Sequence, residues 1–265
     1  MNDFPLYVWQ ARIASDITAV IDLAETTQSS LQFAQPVIRA ALMQQEFLPT
    51  SLLMLCARAI GFADEMLPKL HAFAGAMELI NASLLAHVNV PDRGQSARCV
   101  PLLSLGPAAG VLLGDCLYTR AFGMIARADH AKGVAEVAMV TEQMVTAGML
   151  ERFPAPGGEE SGTDAPVSQL AVVWGASCSL AALLTGSTPA QYSLLREFGV
   201  RCATFRQLAS KPVHGDPLVG KSKTISLGSV FEFSNGAFRL LLQALPASVF
   251  RDDLELFVAH TAMPM

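Results

Sequence analysis

The sequence predicts an all-α fold, organised as a single helical domain over residues 1–265. Three observations carry this. Ala, Leu, Met, Gln and Glu, which lose little on entering a helix, dominate most segments. Alternating runs of β-branched residues, the mark of half-buried strands, are scarce. Apolar residues recur at steps of three and four, which places them on one face of a helix. The chain is 52% hydrophobic and 15% charged, so it has material for a sizeable core and lies far from the composition of a disordered chain.

The clearest helix runs from Leu70 to His87, where Leu70, Phe73, Met77, Ile80, Leu84 and His87 form one stripe. Pro91 to Gly94 ends it, and Pro107 and Gly110 lie in or beside the next helix. Phe153 to Pro166, rich in Pro and Gly, predicts a mobile surface loop rather than a domain boundary, because helical apolar texture continues on both sides. Ala165 to Leu195 carries no charge. Its polar Ser168, Gln169, Ser177, Ser179 and Thr185 and its lack of basic flanks favour a buried helix over a membrane span. A second clear helix covers about Thr188 to Leu208, with Leu194, Phe198, Cys202 and Phe205 on one face. Lys211 to Lys223 is irregular, and Asp252 stands where an N-cap would start a last helix carrying Leu254, Phe257 and Val258.

Net charge is −5 and no basic run exists, which argues against nucleic acid as a partner and against attraction to anionic lipid. The five cysteines (Cys56, Cys99, Cys116, Cys178, Cys202) form no C-x-x-C pair; they read as buried, reduced thiols of a cytoplasmic protein. Met1 to Asp16 shows no signal-peptide pattern. Phosphate-binding, dinucleotide-binding, serine-hydrolase and zinc-protease motifs are missing. The five histidines do not cluster in sequence, and Asp252, Asp253 and Glu255 suit the first turn of a helix better than a metal site.

A family resemblance enters at Met77-Glu78-Leu79-Ile80-Asn81-Ala82-Ser83-Leu84-Leu85-Ala86-His87, which looks like the helix of the trans-prenyl diphosphate synthases that reads E-L-I-H-x-x-x-L-I-H-D-D-x-x-D. Gly114 to Phe122 is similar to that family's G-D-x-L-x-x-R-A-F, and Leu180 to Gly186 to its L-G-A-L-L-A-G. Phe198-Gly199 with Gln207 keeps the spacing of F-G-x-x-x-x-x-x-F-Q, and Gly215-Asp216 with Gly220-Lys221 echoes G-D-x-x-x-x-G-K. The blocks follow in family order over most of the chain. The resemblance implies a bundle of about ten antiparallel helices around a central cavity, and dimeric assembly.

The departures from the pattern decide the expected function. The resemblance implies ionisation of an allylic diphosphate held by Mg²⁺, which demands hard oxygen ligands. The first Asp-rich motif reads Val88-Asn89-Val90-Pro91-Asp92, so at most Asp92 could ligate metal. The second reads Ser210-Lys211-Pro212-Val213-His214, without a carboxylate. The basic G-K-R-x-R-P aligns with Leu31 to Pro36, leaving Gln32, Phe33 and Gln35 for its cations, and the later K-T pair falls at Gln169 and Leu170. A residual diphosphate-binding set would comprise Asp92, Arg93, Gln207, Lys221 and Lys223. Phe33, Trp174 and Phe205 read as core rather than as stops in a cavity.

The expected function is therefore a polyprenyl synthetase-like protein of isoprenoid biosynthesis, with no catalytic residues and no cofactor, regulating or stabilising a prenyl diphosphate synthase. Its expected partners are a second copy or an active synthase, with a prenyl diphosphate as ligand. The alternatives are an active prenyltransferase or terpene synthase with a rearranged site, using Mg²⁺, or a protein that binds prenyl chains. In the active case Asp115 would be a replacement ligand; otherwise it is a structural partner.

Overall fold

The computed structural model describes residues 7–26, 34–43, 45–88, 107–153, 168–210, 242–243 and 245–261. Among them no strand is found, and ten α-helices are: α1 (Val8–Ala11), α2 (Ala14–Thr26), α3 (Ala34–Leu42), α4 (Leu48–Ile60), α5 (Leu67–Val88), α6 (Pro107–Arg127), α7 (Ala131–Arg152), α8 (Gln169–Leu184), α9 (Pro189–Ser210) and α10 (Val249–Thr261). A 3₁₀ turn, Asp64–Met66, leads into α5.

Helix α5 is the axis of the bundle. It packs against α2, α4, α6 and α8, and α8 in turn packs against α4, α7 and α9. Residues 72–83 are all buried, so the expected single stripe is corrected: α5 is covered on every side. Small and apolar residues all round, such as Ala72, Ala74, Ala76 and Ala82 between Phe73, Met77 and Leu79, permit this. Leu84 is only half-buried and His87 is exposed, where the helix leaves the core.

Helix α8 is likewise buried from Ala171 to Ala182. Ser168 caps it by accepting a hydrogen bond from the Ala171 N–H at 3.2 Å. Its charge-free sequence belongs to the core, and among the described residues no helix is long and apolar enough to cross a membrane. The α8–α9 contact is close enough that a Cβ on Gly199 would lie 2.3 Å from the Trp174 carbonyl oxygen. Helices meeting through glycine bring backbone against backbone. Trp174 is buried edge-on against Phe257 and Phe205 is buried too, so both are core residues.

Other expectations shift by small amounts. On α9 it is Leu195, beside Phe198, Cys202 and Phe205, that is buried, while Leu194 is half-buried. Pro107 opens α6, where its missing N–H costs nothing. The last helix begins at Val249, three residues before the predicted cap. Ser248 performs that role by accepting from the Arg251 N–H, and Asp252 lies in the first turn. Cys56, Cys178 and Cys202 are buried and unbridged, and Cys116 is half-buried and unbridged. The predicted loop beyond Phe153, the stretch from Lys211 to Lys223, Phe33 and Cys99 lie outside the described residues.

Candidate functional site

The resemblance directs attention to the C-terminal ends of α5 and α9. Val88 is the last residue of α5 and Ser210 the last of α9. Neither carries a carboxylate, and the rest of both motifs, Asn89 to Asp92 and Lys211 to His214, lies outside the described residues. So do Arg93, Lys221 and Lys223. Of the expected diphosphate-binding set, Gln207 alone is described; it is half-buried on the last turns of α9. Among the described residues no group of three or more His, Cys, Asp or Glu side chains could hold a metal ion.

The turn entering α4 joins these two helices. Gln45 Oε1 accepts from Asn81 of α5 at 3.2 Å. The next residue, Glu46, pairs with Arg206 of α9 at 3.1 Å. Gln10 of α1 donates to the Glu46 carbonyl at 2.7 Å and to Ser51 Oγ at 3.3 Å. His260 of α10 brings Nε2 to 3.8 Å from Glu46, an electrostatic contact beyond hydrogen-bond reach, and Tyr7 packs on its ring with centroids 3.8 Å apart. Burial and the neighbouring Arg206 hold the His260 pKa below the usual imidazole value, against the pull of Glu46. The end of the bundle is thus knitted from α1, α4, α5, α9 and α10.

One turn deeper on α5 than Asn81, Glu78 is fully buried. Its Oε2 accepts from the Thr50 N–H at 3.2 Å and from Thr50 Oγ1 at 3.0 Å. Glu78 therefore caps α4, whose own N-cap residue, Phe47, is left-handed (φ 52°) and gives no side-chain bond. Oε1 finds no protein partner. Burial raises the carboxyl pKa to about 7, against the opposing hydrogen bonds from Thr50.

The block from Gly114 to Phe122, similar to the family's G-D-x-L-x-x-R-A-F, holds a tie between helices. Arg120 is buried on α6 and donates to the Glu25 carbonyl, while the Glu25 carboxylate holds Arg39 of α3 at 2.6 Å. Asp115 is exposed, 3.4 Å from His87 Nε2 across the α5–α6 contact, which suits a structural partner. Gln169 donates to the Met144 carbonyl at 3.1 Å, tying α8 to α7.

Sequence reasoning missed Glu46, Arg206, His260 and Asp16. Asp16 of α2 is buried and accepts from Arg58 of α4 through both oxygens at 2.8 Å, and pairs with His71 of α5 at 2.9 Å. No spacing could reveal these groups, since their partners are distant in the chain. The expected basic motif also takes a different aspect. Gln35 and Pro36 are exposed on α3, whereas the buried helix led by a proline is α4, with Pro49 in its first turn.

No family model matches this chain. It is 28% identical over 160 residues to an octaprenyl diphosphate synthase of Haemophilus influenzae, covering 58% of this chain and 48% of that protein. The chain spans about half the length of the curated relatives it matches. Among solved structures, a polyprenyl synthase from Caulobacter crescentus CB15, complexed with calcium and isoprenyl diphosphate, superposes with a TM-score of 0.74 at 18% identity, covering 96% of this chain and 97% of that one. A geranyl diphosphate synthase small subunit from Antirrhinum majus gives 0.70 at 16% identity, covering 96% and 99%. These likenesses establish the isoprenoid-synthase fold. Sequence relatives and structural neighbours together point to the trans-prenyl diphosphate synthases.

Proposed function

We propose that this chain is a non-catalytic, polyprenyl synthetase-like subunit of isoprenoid biosynthesis that binds and stabilises or regulates an active prenyl diphosphate synthase. The observation that carries the reading is the chemistry left at the two helix ends. Where the family places two Asp-rich motifs, the sequence from Val88 to Asp92 and from Ser210 to His214 offers one carboxylate, Asp92. The donor set does not fit a cluster of Mg²⁺ ions. Charge developing on a leaving diphosphate needs preorganised positive charge. Reading the family's basic motif on Pro49 rather than Pro36 puts Gln45, Glu46 and Leu48 at its cations. Either register leaves none.

The retained features are those of a scaffold: the buried helices, the Arg120 tie between α6 and α2, and the glycine contact between α8 and α9. A relative of the same fold is named a small subunit of a geranyl diphosphate synthase, which supports pairing with a catalytic chain; a second copy is the other expected partner. A cytoplasmic location belongs to the same reading and is supported by three buried, unbridged thiols. A prenyl diphosphate ligand would use Gln207 and the basic residues Arg93, Lys221 and Lys223 with Asp92.

The test pairs two measurements. The purified chain is titrated with Mg²⁺ and geranyl diphosphate while products are extracted, and it is co-expressed with an active prenyl diphosphate synthase from the same source. The expected result is no product from the chain alone and a stoichiometric complex whose product length or stability differs from that of the synthase alone. Mg²⁺-dependent product from the lone chain overturns the non-catalytic reading. Failure to associate overturns the subunit reading.

A further inference from the structure

We propose that the groove between α7 and α9 is a docking site for a basic amphipathic helix of a partner protein. Both helices pack on α8. Arg196 of α9 ties them together by donating to Glu136 of α7 at 3.1 Å and to Gln143 of α7 at 2.6 Å. Tyr192 of α9 also donates to Glu136. Beside this tie lies a groove of about 640 Å³. Met139, Ala147 and Leu150 of α7 and Val200 of α9 give it apolar walls, and α8 contributes Val172. Met139 and Leu150 are exposed although both are large and apolar. Met149 and Phe153, in the last turn and at the C-cap of α7, extend the exposed apolar surface. An apolar surface gathered on one helix beside a groove marks a place where a partner sits.

Shape and charge select the occupant. Leu150 lies eleven residues beyond Met139, about 17 Å along the axis of α7, which is about three helical turns. That length takes apolar anchors spaced i, i+4 and i+7 on one face of a helix. The walls are themselves helices, whose backbone groups are bonded internally, so an extended peptide would find no edge to pair with. Two side chains lining the groove are charged, Arg196 and Glu142. The charge of Arg196 is already met by Glu136. Glu142 is exposed and makes no hydrogen bond or ion pair among the described residues. The unmatched charge on the groove is therefore negative, and its complement is a Lys or Arg flanking the apolar face of the incoming helix. The inference does not rest on the function proposed above, since any protein with such a helix would fit.

The experiment titrates the whole chain against fluorescent, hydrocarbon-stapled helical peptides of about four turns, read by anisotropy. One peptide carries Leu at i, i+4 and i+7 with a flanking Lys. A second has Glu in place of that Lys, and a third has the first composition in scrambled order. The Lys peptide is expected to bind at least about tenfold more tightly than either of the others. Glu142→Gln is expected to bring the Lys and Glu peptides to within about threefold of each other. Leu150→Gln is expected to weaken the Lys peptide by about tenfold, the loss of one apolar contact. Both substitutions fall at exposed positions of α7, and an unchanged thermal midpoint checks that the fold is kept. Should Leu150→Gln fail to fold, Leu150→Ala reads the same contact. Equal binding of the Lys and Glu peptides to wild type overturns the proposal, as does an affinity unmoved at position 150. Two other occupants would overturn it as well. Self-association in sedimentation that Leu150→Gln abolishes assigns the groove to a second copy. Displacement of the Lys peptide by a free peptide of residues 154–167 assigns it to this chain's own segment.

Discussion

Two buried carboxylates on neighbouring helices respond to burial in opposite ways. Asp16 lies near the start of α5, where Arg58 and His71 converge on it, and Glu78 lies towards the other end, against the N-terminus of α4. Burial raises both pKa values. At Asp16 the hydrogen bonds from His71 and Arg58, with their charges, overcome it and hold the carboxyl below its ordinary value. At Glu78 only Thr50 opposes it, through neutral donors, and the value rises to about 7. The bundle therefore has one pole where charge is fully paired and holds α2, α4 and α5 together, and a deeper acid nearer the other pole that stays protonated at mild acidity. An acid's burial says little about its charge; its donors decide.

That contrast can be broken at its stronger side first. Asp16→Ala leaves Arg58 and His71 without their acid and is expected to cost about 3 kcal/mol, the low end for a broken buried pair because Arg58 keeps some exposure. Urea unfolding at pH 7 measures it, and a loss under about 1 kcal/mol would show that water replaces the acid without penalty. The same carboxylate has a lowered folded pKa, so its stabilisation is present above about 3.8 and is lost as the pH falls through the folded value.

Glu78→Gln sharpens the other side. A folded pKa raised from 4.5 to about 7 gives a contribution that is full below 4.5 and lost as the pH rises through 7. The variant should match wild type near pH 4.5 and exceed it by about 3 kcal/mol above pH 8, following the roughly 1.4 kcal/mol carried by each pKa unit. Unfolding curves across that range check the sign, and a constant offset would refute the assignment.

Gly199→Ala tests the apolar middle that separates the two poles. A methyl 2.3 Å from the Trp174 carbonyl forces α9 away from α8, with an expected loss of about 1–3 kcal/mol, read as a lower thermal midpoint. The smallest effect is chemical. Cys178 and Cys202 are buried and their thiol pKa values are pushed well up by burial, so a thiol reagent at pH 8 should spare them, and buried Cys56, in the folded protein and label them after denaturation. Half-buried Cys116 should label first among the described cysteines.

Much of the helical layout was legible in the sequence because helix formation is a local matter. Propensity and the three-to-four spacing placed the helices starting near Leu70 and Thr188, while Pro107, read only as lying in or beside the next helix, opens α6 in the structure. The block from Gly114 to Phe122 was legible only as part of the resemblance; the role of its Arg120, spanning α6 to α2, came from the structure. The error on α5 was one of number of faces. A stripe of large residues is visible in sequence, but small alanines on the remaining faces also become buried when neighbours close around them. The cap of α10 was misplaced because Ser248 and Asp252 are both good capping residues, and only the backbone path chooses between them.

The sequence by itself determined which chemistry is absent from the two motifs, since a valine or a serine offers no carboxylate wherever it is placed. It also determined the helical class, through propensities that act within a turn or two. Only the tertiary structure decided what the remaining polar residues do. Arg206 and Glu46 are 160 residues apart, and Asp16 and His71 are 55 apart. Pairings at such separations leave no periodic trace in the chain, because they arise when helices meet rather than when helices form. Their partners, and the depth at which each group is held, come into being only with the packed bundle.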